Sequence, residues 1–296
     1  MDENSTFLTL PFGTLEDMTG NFLTPIPTSS ARQVQTFTPD TQAPILEGFG
    51  LDMNAGIATL RFDEPVKAGI FFQQDQVVLQ SLFAAKTFYR SDGTSQSISY
   101  SFAGGTVITS NGAEQKIQLS DADIYNIKLI PEVARYIAQS WVRFSENTTV
   151  DMNNNKVVAL PDRSARLATA FVPDIVRPTV TAIKLDADLK ILSVTYDELM
   201  QDTLTDATKV TIHVSAEANA VLYQLTGQST AITDPDYPFS TTVHVQIGDD
   251  DMNNINYLYP LGSGIASTFV SLQSSFARDV FTNQMNAITS TSPAQA

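Results

Sequence analysis

Cysteine is absent from all 296 residues, which excludes a disulfide framework, thiolate-held zinc and thiol catalysis. Tryptophan occurs once, at Trp141, and histidine only at His213 and His244, so chemistry built on several imidazoles has no material here. Basic residues are few: 17 lysines and arginines against 32 aspartates and glutamates leave a formal charge of -15. A field of that sign repels phosphate backbones and anionic lipid headgroups, which argues against nucleic acid and membrane partners. No apolar run is long enough to span a bilayer, and residues 1 to 20 hold no basic segment ahead of an apolar core. Gly-rich phosphate loops, a nucleophile elbow and a His-based triad are also missing.

What is present is a repeat. The stretch from Ser145 to Pro161 has imperfect copies at Leu15 to Pro25 and Phe276 to Asn286. Aligned on Asp17, Asp151 and Asp279, the copies stand 134 and 128 residues apart, the length of one small domain. Asp40-Thr-Gln-Ala-Pro44 and Asp174-Ile-Val-Arg-Pro178 recur at the same 134-residue offset and mark boundaries. The expected organisation is therefore residues 1–39 as the C-terminal part of a preceding repeat, then full repeats at 40–173 and 174–296. The first stretch would bring strands whose edges are free to pair with another domain or chain.

Within each repeat, alternating β-branched and apolar residues predict strands, as in Ile57 to Val66 and Ile191 to Met200. Further strands are expected around Gln76 to Gln80, Ser97 to Phe102 and Gln115 to Leu119, with Lys209 to Val214, Ala220 to Gln224 and Thr241 to Ile247 in the second copy. Gly104-Gly105 and Asn111-Gly112 read as turns between them. One helix interrupts each copy: Ser120 caps a segment to Leu129, and Gly248 to Tyr257 matches it 128 residues on. Trp141 aligns with Phe7 and Phe269, an aromatic position expected to anchor the core.

Phe62-Asp-Glu-Pro-Val66 and Asp17-Met-Thr-Gly-Asn21 resemble the strand-end and turn signals of tandem Ig-like repeats in microbial surface proteins, including S-layer-type Ig-like domains. Tyr196-Asp-Glu-Leu-Met200 and Asp279-Val-Phe-Thr-Asn283 occupy the same places in diverged form. The resemblance implies an all-β chain of Ig-like β-sandwich domains, each with one short helix, serving as spacers, adhesive modules or filament subunits.

Candidate sites are few. Asp174, Asp186 and Asp188 cluster just after a boundary and are calcium candidates, since carboxylates suit that ion. The Asp17, Asp151 and Asp279 turns could also hold a cation, but an aspartate accepting backbone hydrogen bonds explains them without one. Asp121, Asp123 and Asp249 to Asp251 fit helix capping. Asp63-Glu64 and Asp197-Glu198 are paired carboxylates, yet adjacent strand residues face opposite ways, so a strand corner explains them better than glycoside hydrolysis. Asn4 and Asn147 stand in N-glycosylation sequons. The expectation is a non-enzymatic extracellular structural protein on a cell surface, packing on neighbouring copies or other domains of a longer array. The alternative is an adhesin segment that binds glycan or a surface ligand through loops near 86 to 112 and 224 to 240.

Overall fold

A computed structural model describes residues 3–89, 91–130, 132–217 and 220–296. Strand outweighs helix, 36% to 15%, and the chain is all-β as expected. Arg90, in the first variable loop, and Ala218 and Asn219, beside the shortened strand Leu222–Gln224, lie outside the described residues.

Residues 46–172 supply two large sheets and a two-stranded hairpin, Thr87–Tyr89 with Ser95–Ser97. One runs in the order Ala170–Val172, Leu46–Asp52, Ile57–Val66, Gly112–Gln118, Thr106–Val107; the other is Arg166–Leu167, Trp141–Phe144, Val77–Gln80, Ser99–Ser101. Every neighbour is antiparallel except Ala170–Val172, which runs parallel to Leu46–Asp52. Residues 180–295 repeat the four antiparallel strands of the first sheet as Val180–Asp186, Ile191–Gln201, Phe239–Gln246 and Thr230–Ile232. The opposing sheet is Leu222–Gln224, Val210–His213, Phe269–Leu272 and Ala294–Gln295.

Period-two patterning decides which side of each strand meets the core. Ala58, Leu60, Phe62 and Val66 turn inward from one sheet and meet Val77, Leu79, Val142 and Phe144 from the other in a single hydrophobic cluster. Leu192, Val194 and Tyr196 do the same with Val210, Ile212, Val270 and Leu272 in a second cluster. Each buried Leu or Phe side chain contributes about 1.5–3 kcal/mol to folding. The same alternation corrects the expectation for Trp141. Val142 and Phe144 take the inward positions of their strand, so the half-buried indole lies on the outer face. There it meets the Phe83 ring edge-on at 5.9 Å and donates to the Ala138 carbonyl at 3.0 Å.

Two helices, α1 (Asp121–Leu129) and α2 (Asp249–Tyr257), each follow the last long strand of one sheet. Ser120 and Asp123 form a capping box at α1. In α2 the cap position is Gly248, and Ser229 from a neighbouring loop supplies the hydroxyl, accepting from the Gly248 amide at 3.1 Å and donating to Asp251 at 2.5 Å.

Residues 3–39 form a small separate piece. Phe7–Leu8 pairs with Arg32–Gln33, and the Leu10–Ile26 and Glu16–Phe22 bridges match Phe144–Leu160 and Val150–Lys156 one repeat later. Its apolar face is bare: Leu8 is 50% and Leu15 61% exposed, where their counterparts Val142 and Thr149 are buried. Strands without a facing sheet have little to hold them. Backbone amides in 3–39 should therefore exchange with solvent far faster than those of Ile57–Val66 or Ile191–Gln201. Deleting residues 1–38 should move the unfolding free energy of the remainder by less than about 0.5 kcal/mol, read from urea titration.

Candidate functional site

The residues that converge lie where the first pair of sheets hands over to the second. Asp174 sits in the connection, Glu198 near the end of the long strand Ile191–Gln201, and Asp279 in the turn after Phe269–Leu272. One carboxylate oxygen from each comes within 4.8 Å of the others. The Asp279 turn explains why that group is so well placed. Oδ1 accepts the Phe281 and Asn283 amides at 2.9 and 2.7 Å, Oδ2 accepts the Asn283 side chain at 2.8 Å, and that side chain also reaches the Asp174 carbonyl at 2.9 Å. The turn thus ties the peptide that links the two sheet pairs to the carboxylate that faces it.

Into this cup reaches Lys128, from the last turn of α1. Its ammonium bonds Asp174 Oδ2 at 2.5 Å and Glu198 Oε2 at 3.0 Å, and its side chain is only 9% exposed. Burial works against the ammonium, but the Asp174 and Glu198 carboxylates outweigh it and hold its pKa above the ordinary value. Glu198 moves the other way from a normal carboxylate. Burial pushes it up to about 7, with Asp279 and Asp174 adding to the rise and Lys128 opposing it. Burial also raises Asp279 in spite of the hydrogen bonds from Asn283 and Phe281.

Arg135 completes the joint. Its guanidinium lies 5.0 Å from the Phe239 ring and 5.5 Å from the Phe281 ring, while Nη2 donates back to the Lys128 carbonyl at 2.5 Å. Phe281, which belongs to the second repeat, also packs against the first hydrophobic cluster. Two cations of one repeat are therefore embedded among carboxylates and aromatics of the next. The joint is thus a socket in which the Lys128 ammonium is paired with the Asp174 and Glu198 carboxylates.

No protein-family model matches this chain, and no curated protein matches it.

The other candidates disperse. Asp186 ends the strand Val180–Asp186, pairs with Lys184 at 3.7 Å and accepts the Leu189 amide, with Asp188 in the hairpin beside it. Seven residues of strand, about 20 Å, carry them away from the start of the repeat, so Asp174, Asp186 and Asp188 do not form a group. Asp174 combines instead with Glu198 and Asp279. The paired carboxylates divide their work: Asp63 and Asp197 accept the Ile45 and Thr179 amides, while Glu64 and Glu198 turn toward the boundary. His213 is buried on Ser271 Oγ at 2.8 Å, and burial lowers its pKa; His244 meets Ser193 on the surface. Asn4 and Asn147 are both exposed, but Asn147 accepts from Lys156 at 2.8 Å and the Thr149 hydroxyl of its sequon is buried on the Lys67 carbonyl. Among the described residues the variable loops meet where the Ser91 amide donates to Asp236 at 3.2 Å.

Lys128 and Arg135 gave no signal in the sequence beyond a cation in the last turn of a helix and another just after it. The carboxylates did give one. Asp40, Glu64 and Asp151 stand at the repeat positions of Asp174, Glu198 and Asp279, and three acids recurring together at fixed offsets mark a shared site.

Proposed function

We propose that this chain is an extracellular structural protein whose tandem Ig-like sandwich units join end to end as a rod or filament on a cell surface. The observation that carries this reading is the joint: Lys128 and Arg135 of one unit are buried in the carboxylate and aromatic socket of the next. A joint of that kind fixes the orientation of neighbouring units, which a spacer needs and a lone binding module does not. The matching strand orders of the two sheet pairs support a modular array. The bare apolar face of residues 3–39 supports contact with a further unit of the same kind.

Small-angle scattering and electron microscopy test the proposal together. A compact 296-residue globule would have a radius of gyration of about 19 Å. The expected result is a clearly larger value, with mass growing with concentration and end-to-end particles in the images. A radius near that of a globule, with constant mass at every concentration, would overturn the proposal.

A further inference from the structure

We propose that the outer face around Trp141 in the first repeat is a binding site for a neutral oligosaccharide. The Phe83 and Trp141 rings hold the apolar side of one sugar, and Gln80, Gln139 and Arg143 bond its hydroxyls.

Strand register gathers these groups. Gln80 and Leu167 stand directly opposite Trp141 on the two neighbouring strands, and Arg143 lies two residues along its own strand. Residues opposite one another, or two apart, share a face of the sheet, so all four belong to the outer face. The two rings meet at 74° with centroids 5.9 Å apart, which makes a corner with a floor and a wall. Phe83 is 50% and Leu167 37% exposed. Gln80 fixes the corner, since its Nε2 donates to the Leu82 and Phe83 carbonyls at 2.8 and 3.0 Å.

The polar groups here have bonding capacity to spare. Gln80 Oε1, Gln139 Oε1, Arg143 Nε and the Ser81 hydroxyl are buried and have no hydrogen-bond partner among the described residues. Gln80 is wholly buried under the loop at 82–85, and a sugar seated on the rings reaches it by shifting that loop. The second repeat shows the same face in a closed form. His213 and Ser271 take the places of Gln80 and Arg143 and satisfy each other at 2.8 Å. Ser267, at the place of Gln139, donates to the Gly264 carbonyl at 3.2 Å, and Val214 puts an apolar side chain where Ser81 stands. Phe269 stands for Trp141 and Gln295 for Leu167. Unmet polar groups and the tryptophan thus occur together in the first repeat, and both are replaced in the second.

The ligand class follows from that combination. The carbon-bound hydrogens on one side of a pyranose ring meet the electron-rich face of an aromatic ring, while its hydroxyls both donate and accept. An apolar side chain would cover the rings and leave the polar groups unmet, a cost that a hydroxyl contact removes. A corner of two rings is also far smaller than the roughly 800 Å² that each side of a stable protein interface buries. Charge selects a neutral sugar. Asp162, which takes the Ala85 amide at 2.8 Å, lies within reach of the Arg143 charge and offsets it, and the formal charge of -15 repels acidic glycans.

The site stands whether or not the units assemble into filaments. Because the chain has one tryptophan, its fluorescence reports on this face alone. Titration of the full chain with cellotetraose, mannotetraose and chitotetraose, and with tetragalacturonate as the acidic control, tests the assignment. The expected result is a saturable change in emission with at least one neutral sugar and none with the acidic one. Phe83→Ala should weaken that binding about tenfold, and so should Trp141→Leu when binding is followed by calorimetry. Gln80→His combined with Arg143→Ser, which installs the second repeat's self-satisfied pair, should abolish binding in a chain that still unfolds cooperatively. Phe269→Leu should leave it unchanged. No emission change and no heat with any of the neutral sugars, a response to tetragalacturonate alone, or binding that survives both Phe83→Ala and the Gln80 and Arg143 exchange overturns the proposal. So does a rise in mass with concentration that Trp141→Leu abolishes, which would assign the face to packing between copies.

Discussion

Replacing Lys128 with methionine is expected to destabilise the chain by about 3–5 kcal/mol at pH 8, the usual cost of removing one partner from a buried ion pair. Methionine keeps most of the side-chain volume, so the loss reports charge and not a cavity. It leaves Asp174, Glu198 and Asp279 facing one another with no ammonium between them. The penalty should shrink at pH 5, because carboxylates that cannot pair can take up protons instead.

Glu198 sets the direction in the parent chain. Its folded pKa of about 7 lies above the ordinary value of 4.5, so the folded state holds the proton more tightly than the unfolded state. That contribution, roughly 3 kcal/mol at most, is fully present below pH 4.5 and is lost as pH rises through 7. Glu198→Gln should therefore flatten the stability profile between pH 5 and 8. His213 acts oppositely: its lowered pKa costs stability as pH falls below its ordinary 6.5. Differences between variant and parent, taken by urea unfolding at both pH values, separate the two. A Lys128→Met penalty below about 1 kcal/mol, or equal at pH 5 and 8, would show that the joint is not held by charge.

Asp123→Ala is the second large effect, with an expected cost of about 4 kcal/mol in unfolding free energy. The residue is fully buried. It accepts the Tyr100 hydroxyl at 2.8 Å, the Ala103 amide at 2.7 Å, the Gly104 amide at 3.1 Å, and both the amide and hydroxyl of Ser120. Alanine would strand several buried donors at once, each costing about 1–3 kcal/mol, offset in part by water entering the space. Burial alone would raise the Asp123 pKa, but these donors together hold it below the ordinary range, which shows that they favour the charged form. Asp251→Ala should behave alike, since Tyr223, Thr226 and Ser229 converge on it in the same way. Asp121→Ala, one turn-position away and exposed, should stay within about 0.5 kcal/mol. Equal effects at Asp121 and Asp123 would mean that these acids act only through the helix dipole.

The acidic helix starts illustrate how far sequence reasoning reaches. Ser120 as a cap and Asp123 three residues later form a local pattern, so the capping box was legible. The attachment of Asp123 to Tyr100 and Ala103 was not, because those partners come from another strand and a turn brought near only by sheet packing. Trp141 teaches the complementary lesson. An aromatic recurring at one repeat position marks a structural role, but its neighbours Val142 and Phe144 decide which face of the strand is inside.

By itself the sequence determined the all-β character, the repeat spacing, the two short helices, the Ser120 capping box and the Asp-centred turns, because each depends on residues close together in the chain. Period-two alternation, capping and turn chemistry act over a few positions and survive without tertiary context. Only the tertiary structure decided that Asp174 joins Glu198 and Asp279 rather than Asp186 and Asp188, and that Lys128 enters their midst. Carboxylates interact through space over a few ångströms, and nearness along a strand that advances about 3.3 Å per residue separates groups that look adjacent in sequence.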